Sequence, residues 1–163
     1  MKICMLGPFP PLRGGIAQFS SRLARSVEQA GHRVVRAGFR TLYPSLLFPG
    51  TTQFEPGPEL PESGVLPLLR PSSPLTWPGA LRSLSRAGCD ACIVQWWHPF
   101  FAPCLKACTP RGIPAAVVCH NLEPHEGFPL GMRLTRSYLS GRILAVHGEK
   151  DVEAAWSLGA SGV

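Results

Sequence analysis

Apolar and polar residues alternate along the chain in two patterns. Short, mainly apolar runs predict strands at residues 2–6, 32–39, 64–69, 90–97, 114–121 and 142–148. Between these runs, apolar residues recur three and four positions apart, which predicts helices at 15–30, 75–88, 100–112, 130–141 and 150–159. Strands that are apolar throughout are typical of a parallel sheet covered by helices on both faces. The pattern therefore predicts a doubly wound α/β domain.

One long segment, residues 41–63, follows neither pattern. It is dense in proline, glycine and threonine, which predicts an irregular loop. A loop of this length in a compact domain is commonly functional or mobile. Ligands of doubly wound sheets bind beyond the carboxyl ends of the strands. The candidate site residues are therefore those that follow the strands, at 7–15, 40–60, 97–99, 120–126 and 147–149.

Size and composition fit one globular domain. The chain has 163 residues, of which 45% are hydrophobic, and a formal net charge of +6. This excess permits contact with phosphorylated ligands. No block of like charges, RNA-recognition motif or zinc-finger motif is present, so we expect no nucleic-acid partner. The N-terminus lacks the apolar run of a signal peptide, and no run of about 18 apolar residues predicts a membrane span.

Six cysteines occur in the chain. Cys4, Cys92 and Cys119 lie in the apolar runs, where cysteine acts as a small buried hydrophobic residue. Cys89 and Cys92 form a CxxC pair, but this pair closes a predicted helix and enters a strand, the reverse of a thioredoxin-type motif. A zinc site would draw Cys92 out of its strand. We therefore expect no metal and a reducing, cytoplasmic setting.

The segment GPFPPLRGG (7–15) joins the first strand to the first helix. Its prolines hold the loop extended with little entropy to lose. Gly14 and Gly15 leave the helix N-terminus free of side chains, where N–H groups and the helix dipole favour an anion, and Arg13 adds charge. The segment is neither GxGxxG nor a Walker A motif. Two interpretations stay open: a phosphate site, or glycines that only permit a turn.

Titratable residues follow the predicted strand at 114–121, in the segment VVCHNLEPHE. His120 stands at the strand end, which directs it toward the ligand, and a histidine there can bind a sugar hydroxyl or act as an acid or base. Glu123 and His125 follow. The spacing is neither HExxH nor a known zinc pattern, so a metal is not favoured. A solvated loop residue is the simpler interpretation of His125, which leaves His120 as the stronger candidate.

Aromatic residues gather after the predicted strand at 90–97, in the segment QWWHPFFAP. One interpretation is an aromatic wall for a sugar ring or a lipid acceptor, with Trp97 and His98 as its contacts. The other is that Trp96 or Trp97 packs a helix onto the sheet. The pattern favours packing for at least one of the two tryptophans.

Three arginines, Arg133, Arg136 and Arg142, surround the predicted helix at 130–141. Together with the apolar residues of the helix, they fit a basic amphipathic surface for anionic lipid. Such charges are more often a solvated helix face. Peripheral membrane contact is therefore the less favoured of the two interpretations.

Taken in order, these motifs resemble those of family 4 glycosyltransferases of the GT-B fold. The likeness begins with MKICMLGPFPPLRGGIAQFSSRLARSVEQAGHRV, in which a strand, a proline loop, a Gly-Gly pair and a helix ending in xxGHxV succeed one another. It continues through VQWWHPFFAP, VVCHNLEPHE and HGEKDVEAAWSLG, and so covers essentially the whole chain. The Gly-Gly pair alone is a weak signal, whereas the ordered set is fairly specific.

The resemblance implies a Rossmann-like half of a GT-B fold, in a retaining transferase that uses a nucleoside diphosphate sugar and no metal or other cofactor. In the family the Gly-Gly backbone approaches the donor phosphates, which corresponds to Gly14 and Gly15, with Arg13 beside them. A histidine after the fifth strand, here His120, contacts the transferred sugar. The acceptor, a glycan or a lipid-linked molecule, lies near the long loop and the fourth strand. The expected acceptor and sugar contacts are Trp97, His98, Asn121, Glu123 and His125.

Two departures from the family pattern matter. Gly148 stands where members often have serine, so a hydroxyl that could cap the next helix is absent. The family's second domain, which holds most of the donor site, has no counterpart in this sequence. We therefore expect residues 1–163 to be the acceptor-side N-terminal domain, inactive without a C-terminal domain or a partner chain.

Two other functions are alternatives to transfer. The first is a non-catalytic module of a split glycosyltransferase, which docks a partner chain or an anionic membrane. The second is a nicotinamide-dependent oxidoreductase, which is disfavoured because GxGxxG is missing and no acidic residue ends the second strand. For the transferase we expect a role in polysaccharide biosynthesis, in the cytoplasm or peripherally on the inner membrane face.

Overall fold

The computed structural model describes residues 1–43, 52–55, 62–122 and 130–163. Strands and α-helices alternate along them, and two short 3-10 turns, Pro74–Thr76 and Pro99–Phe101, lead into helices. The strands are β1 (Lys2–Gly7), β2 (Arg33–Phe39), β3 (Val65–Leu69), β4 (Ala91–Trp96), β5 (Ala115–Cys119) and β6 (Ile143–Val146). The helices are α1 (Gly15–Gln29), α2 (Trp77–Arg86), α3 (Ala102–Cys108), α4 (Gly131–Leu139) and α5 (Lys150–Ser157).

The strands form one sheet in the order β3-β2-β1-β4-β5-β6, and each neighbouring pair is parallel. The order reverses between β1 and β4, which is where sheets of this kind bind ligands. Because all the strands run the same way, their carboxyl ends meet on one side of the domain, which we call the carboxyl edge. The predicted doubly wound parallel sheet is confirmed.

The core lies on both faces of this sheet. Alternate residues of β1 enter different clusters: Cys4 and Leu6 belong to the larger one, and Met5 belongs to the smaller one. Helix α1 covers the smaller cluster with Leu23 and Ala24. Burial on both faces explains why the strands are apolar throughout.

Trp96 of β4 and Tyr138 of α4 stack on the larger face, with ring centroids 5.2 Å apart and planes 13° apart. Both side chains are fully buried. Trp96 therefore packs a helix onto the sheet, as the packing interpretation of this aromatic segment predicts.

The cysteines of the strands are buried, as predicted. Cys4 and Cys92 are register partners on β1 and β4, and Cys119 ends β5. All six cysteines have free thiols. Burial raises the pKa of the Cys119 thiol to about 12, so this thiol is protonated at neutral pH.

The predicted helix at 100–112 is too long at its C-terminal end. After the turn Pro99–Phe101, α3 ends at Cys108, and Thr109 is already extended, with φ −65° and ψ 122°. The physical reason is Pro110, because a proline disfavours the helical conformation of the residue before it. Pro103 sits in the first turn of α3, where it is tolerated.

The predicted loop at 41–63 is described only at 41–43, 52–55 and 62–63. These residues contain no helix or strand, in agreement with the prediction for them. Phe54 forms an isolated bridge with Leu12, and Arg13 N–H donates to the Gln53 carbonyl over 2.8 Å. This part of the loop therefore pairs with the segment between β1 and α1.

Candidate functional site

Two histidines meet at the carboxyl edge, because they follow neighbouring strands. His120 comes directly after β5 and His147 directly after β6, and their ring centroids lie 4.9 Å apart. Phe19 of α1 meets both rings edge-on, with centroids 4.9 Å from His120 and 5.4 Å from His147. The sequence prediction that His120 stands at a strand end is confirmed.

A hydrogen-bond chain runs from this pair into the sheet. His147 Nε2 lies 3.2 Å from His120 Nδ1, and His120 Nε2 lies 2.8 Å from Gln95 Oε1. His147 is exposed, His120 is half-buried, and Gln95 of β4 has no exposed surface. The chain therefore links solvent to a buried amide through the His120 ring.

Gly7, the last residue of β1, makes room for that amide. A Cβ atom at Gly7 would lie 2.5 Å from Gln95 Cγ and 3.3 Å from Ser20 Oγ, which no side chain can accommodate without displacement. Gln95 Nε2 is buried and has no hydrogen-bond partner among the described residues. Such an orphaned donor lowers stability by about 1–3 kcal/mol. Its presence in a strand core fits a functional group better than a structural one.

The surroundings of His120 hold its imidazole neutral. Burial, and then electrostatic repulsion from His147, lower the pKa of His120 to about 4. At neutral pH the ring therefore has one N–H donor and one nitrogen acceptor. Among the described residues, Gln95 forms a hydrogen bond with one nitrogen of the ring and His147 with the other.

This pKa predicts a pH-dependent stability. The unfolded histidine has a pKa of about 6.5, so the unfolded chain binds the proton first as the pH falls. Above about pH 6.5, His120 does not change the free energy of unfolding. Between about pH 6.5 and about pH 4, it lowers the free energy of unfolding increasingly as the pH falls. We expect His120→Asn to gain stability relative to wild type between about pH 7.5 and about pH 5 in urea denaturation. If the two proteins differ in free energy of unfolding by the same amount at both pH values, the lowered pKa of His120 is contradicted.

The predicted glycines begin α1. Gly14 is the N-cap, with φ of +126°, and no side chain caps the helix. Its carbonyl accepts from the N–H groups of Ala17 and Gln18. Apart from the neighbouring residues of the chain and the helix backbone, no described atom lies within 4 Å of a Cβ built at Gly14 or Gly15, so the described residues leave this helix N-terminus open. Arg13 is exposed next to it.

A cavity of about 460 Å³ lies beside this segment, between the residues after β1, the end of β2 and strand β3. Phe9, Phe39 and Phe54 are among its walls, which are mainly apolar, and Arg40 adds a positive charge. Phe54 belongs to the described part of the long loop, so the cavity lies beside that loop.

Trp97 and His98 take part in local packing. Trp97 is half-buried, and its ring centroid lies 5.6 Å from that of Phe39 and 4.2 Å from that of Phe101. His98 Nδ1 accepts from the N–H of Phe100 over 3.1 Å and so caps the 3-10 turn. Both residues therefore have a structural role. The sequence pattern allowed such a role for Trp97 but did not predict one for His98.

The remaining predicted contacts lie after His120. Asn121 is exposed. Glu123 and His125 lie outside the described residues. Sequence reasoning missed Gln95 and Phe19 as members of the site, although a glutamine in the apolar run DACIVQWW was a signal for Gln95.

The arginines around α4 differ in their contacts, and a basic surface for anionic lipid stays a prediction. Arg142 Nε donates to the Tyr138 carbonyl over 2.5 Å, and its guanidinium lies 4.5 Å from the centroid of the Tyr138 ring. Arg133 and Arg136 are exposed on the helix. Among the described helices, none has both the length and the apolar character needed to cross a bilayer.

No group of three or more His, Cys, Asp or Glu side chains within the described ranges could hold a metal ion.

Residues 14–149 of the chain match the family model described as "Glycosyl transferase 4-like domain". No curated protein matches the chain. The matched range contains Gly14, Gly15, His120 and His147.

Proposed function

The chain belongs to the glycosyl transferase 4-like family, and from that premise we propose that it supplies the acceptor-side half of a retaining glycosyltransferase site. The reaction moves a sugar from a nucleoside diphosphate sugar to a glycan or lipid-linked acceptor. The observation that carries the proposal is the contact of Phe19 with His120, at 4.9 Å between ring centroids. This contact supports the proposal because it brings α1, the helix that Gly14 and Gly15 begin, against the strand-end histidine.

The donor diphosphate is proposed to bind at Gly14 and Gly15. The first N–H groups of a helix have no partner within the helix, and the helix dipole is positive at this end. With no side chain on either residue, a phosphate can approach the backbone closely. During transfer the negative charge of the leaving diphosphate grows, and the helix N-terminus stabilises it, with Arg13 beside it.

His120 is proposed to bind a hydroxyl of the transferred sugar. As a neutral imidazole it forms directed hydrogen bonds rather than an ion pair, which suits a sugar hydroxyl. The cavity beside Phe39 and Arg40 is proposed to receive the acceptor. Its apolar walls fit the hydrocarbon part of a lipid-linked acceptor, and Arg40 fits a phosphate that joins lipid to glycan.

The test of this function is release of nucleoside diphosphate by the native polypeptide. It requires a panel of common sugar nucleotides and a broad set of glycan and lipid-linked acceptors. Acceptor-dependent release from one donor, with product of retained configuration, is the expected result. If no donor is turned over with any acceptor, the proposal is wrong.

Gly14 provides a sharper test of the phosphate site. Its φ of +126° strains any other residue, so Gly14→Ala turns the first N–H groups away from the phosphate. We expect the Kd for nucleoside diphosphate, measured by calorimetry, to rise by about tenfold. The matched control is Gly112→Ala, which has φ of +80° and an equally open position, but lies before β5 on the opposite edge. The control should lose similar stability and bind normally. If Gly14→Ala and Gly112→Ala bind nucleoside diphosphate with the same Kd, the proposed phosphate site is wrong.

A further inference from the structure

His147 has no part in the proposed phosphate or sugar contacts, yet it holds one nitrogen of the residue that binds the sugar. Its Nε2 lies 3.2 Å from His120 Nδ1. On the other side of the ring, His120 Nε2 lies 2.8 Å from Gln95 Oε1. A neutral imidazole carries a single proton, so the partners of its two nitrogens decide which nitrogen carries it.

We propose that His147 is a positioning residue, which donates from Nε2 to His120 Nδ1 and so selects the tautomer of His120 with its proton on Nε2. The amide oxygen of Gln95 accepts from that proton. In this tautomer His120 Nδ1 carries no proton and can accept a hydrogen bond. Where it concerns transfer, this inference rests on the proposed function, whereas the tautomer exists independently of it.

The packing around the pair supports a fixed ring orientation. The groups that face His120 come from three elements: Phe19 from α1, Gln95 from β4 and His147 after β6. Of these, His147 is the titratable one. Phe19 meets both imidazoles at 86°, so neither ring can turn freely without losing that contact. Orientation and tautomer are therefore set together.

The arrangement has a consequence for the sugar. His120 Nε2 faces Gln95, which has no exposed surface, whereas His147 on the Nδ1 side is exposed. A sugar hydroxyl arriving from solvent meets the Nδ1 side. The hydroxyl donates a hydrogen bond to Nδ1 and displaces His147, so His147 acts before the sugar binds, by setting the tautomer that receives it. The transferred sugar must therefore present a hydroxyl as a donor at this point, and a deoxy sugar there would be a poorer substrate.

Two variants separate the hydrogen bond from the ring packing. His147→Phe keeps an aromatic ring against Phe19 but has no donor. His147→Gln places an amide N–H close to the position of the imidazole Nε2. Because His147 is exposed, we expect both variants to fold, which circular dichroism checks.

The first measurement is the tautomer of His120 by NMR of the ¹⁵N-labelled imidazole in the ligand-free protein. Wild type and His147→Gln should carry the proton on Nε2. His147→Phe should show a mixture, because without the donor at Nδ1 the Gln95 amide, whose Nε2 has no other described partner, can turn and donate to His120 Nε2. A proton on Nδ1 in wild type, or an unchanged tautomer in His147→Phe, overturns the proposal. This measurement needs no substrate, so it stands even if the proposed function fails.

The second measurement is the steady-state kinetics of transfer. His147→Phe should raise the KM for the donor by about twofold and leave kcat unchanged, because about half of the free protein then carries the binding tautomer, and His147→Gln should restore the KM. If His147→Phe shifts the tautomer but keeps the wild-type KM, the positioning role in transfer is overturned. If wild type itself transfers nothing, the proposed function fails instead.

Discussion

Replacement of His120 by alanine should reduce glycosyl transfer by about 100-fold, because it removes a preorganised hydrogen-bonding group beside the reacting sugar. The ring is held on three sides before any ligand arrives, by Phe19, Gln95 and His147. Such a group does not have to be ordered at the moment of reaction, which is why its loss is costly. The measurement is the steady-state rate of nucleoside diphosphate release by the native polypeptide with saturating donor and acceptor.

The control for this variant is His32→Ala. His32 precedes β2, on the opposite edge of the sheet, where its Nδ1 lies 3.3 Å from the N-terminal amine. Its removal should leave transfer unchanged. A thermal denaturation curve for each variant separates loss of chemistry from loss of fold. Transfer at the wild-type rate by His120→Ala would contradict the role of His120. Retained partner binding without transfer in wild type would favour the non-catalytic module.

Replacement of Trp96 by alanine should lower the free energy of unfolding by about 3–5 kcal/mol, the usual result for a large aromatic residue in a core. Only 1% of the Trp96 surface is exposed, and the ring lies against Tyr138 at 5.2 Å. The substitution leaves a cavity between β4 and α4 and ends this stacking contact. Domains of this size have a total stability of about 5–15 kcal/mol, so the loss is a large share of it.

The matched control is Trp156→Ala on α5, because 51% of the Trp156 surface is exposed. Its effect should stay within about 0.5 kcal/mol. Both values come from urea denaturation followed by circular dichroism. If Trp96→Ala and Trp156→Ala lower the free energy of unfolding by the same amount, the packing of Trp96 against α4 does not stabilise the fold as expected.

Much of the fold could be predicted from the chain alone. Buried strands and amphipathic helices differ in the period of their apolar residues, so their order along the chain was predicted, and the doubly wound class followed. The ends of elements were less certain. The helix predicted to reach residue 112 ends at Cys108, because Pro110 restricts Thr109.

The candidate site was predictable in part. Gly14 and Gly15 and the strand-end position of His120 were found from local pattern, since a helix start and a strand end are local features. The aromatic segment was harder to interpret. Trp97 and His98 have the residue types of a sugar site. Their contacts include a neighbouring aromatic ring and a backbone N–H, and a role in sugar binding stays a prediction.

The sequence by itself determined the alternation of elements, the burial of the strand cysteines and the glycine-led start of α1, because each depends on residues close together in the chain. Only the tertiary structure decided that Phe19, Gln95 and His147 surround His120. These residues are distant in sequence. They meet because a parallel sheet brings the carboxyl ends of its strands to one edge, and because strand order and register then set which side chains touch. Neither order nor register is encoded in the local pattern of apolar and polar residues.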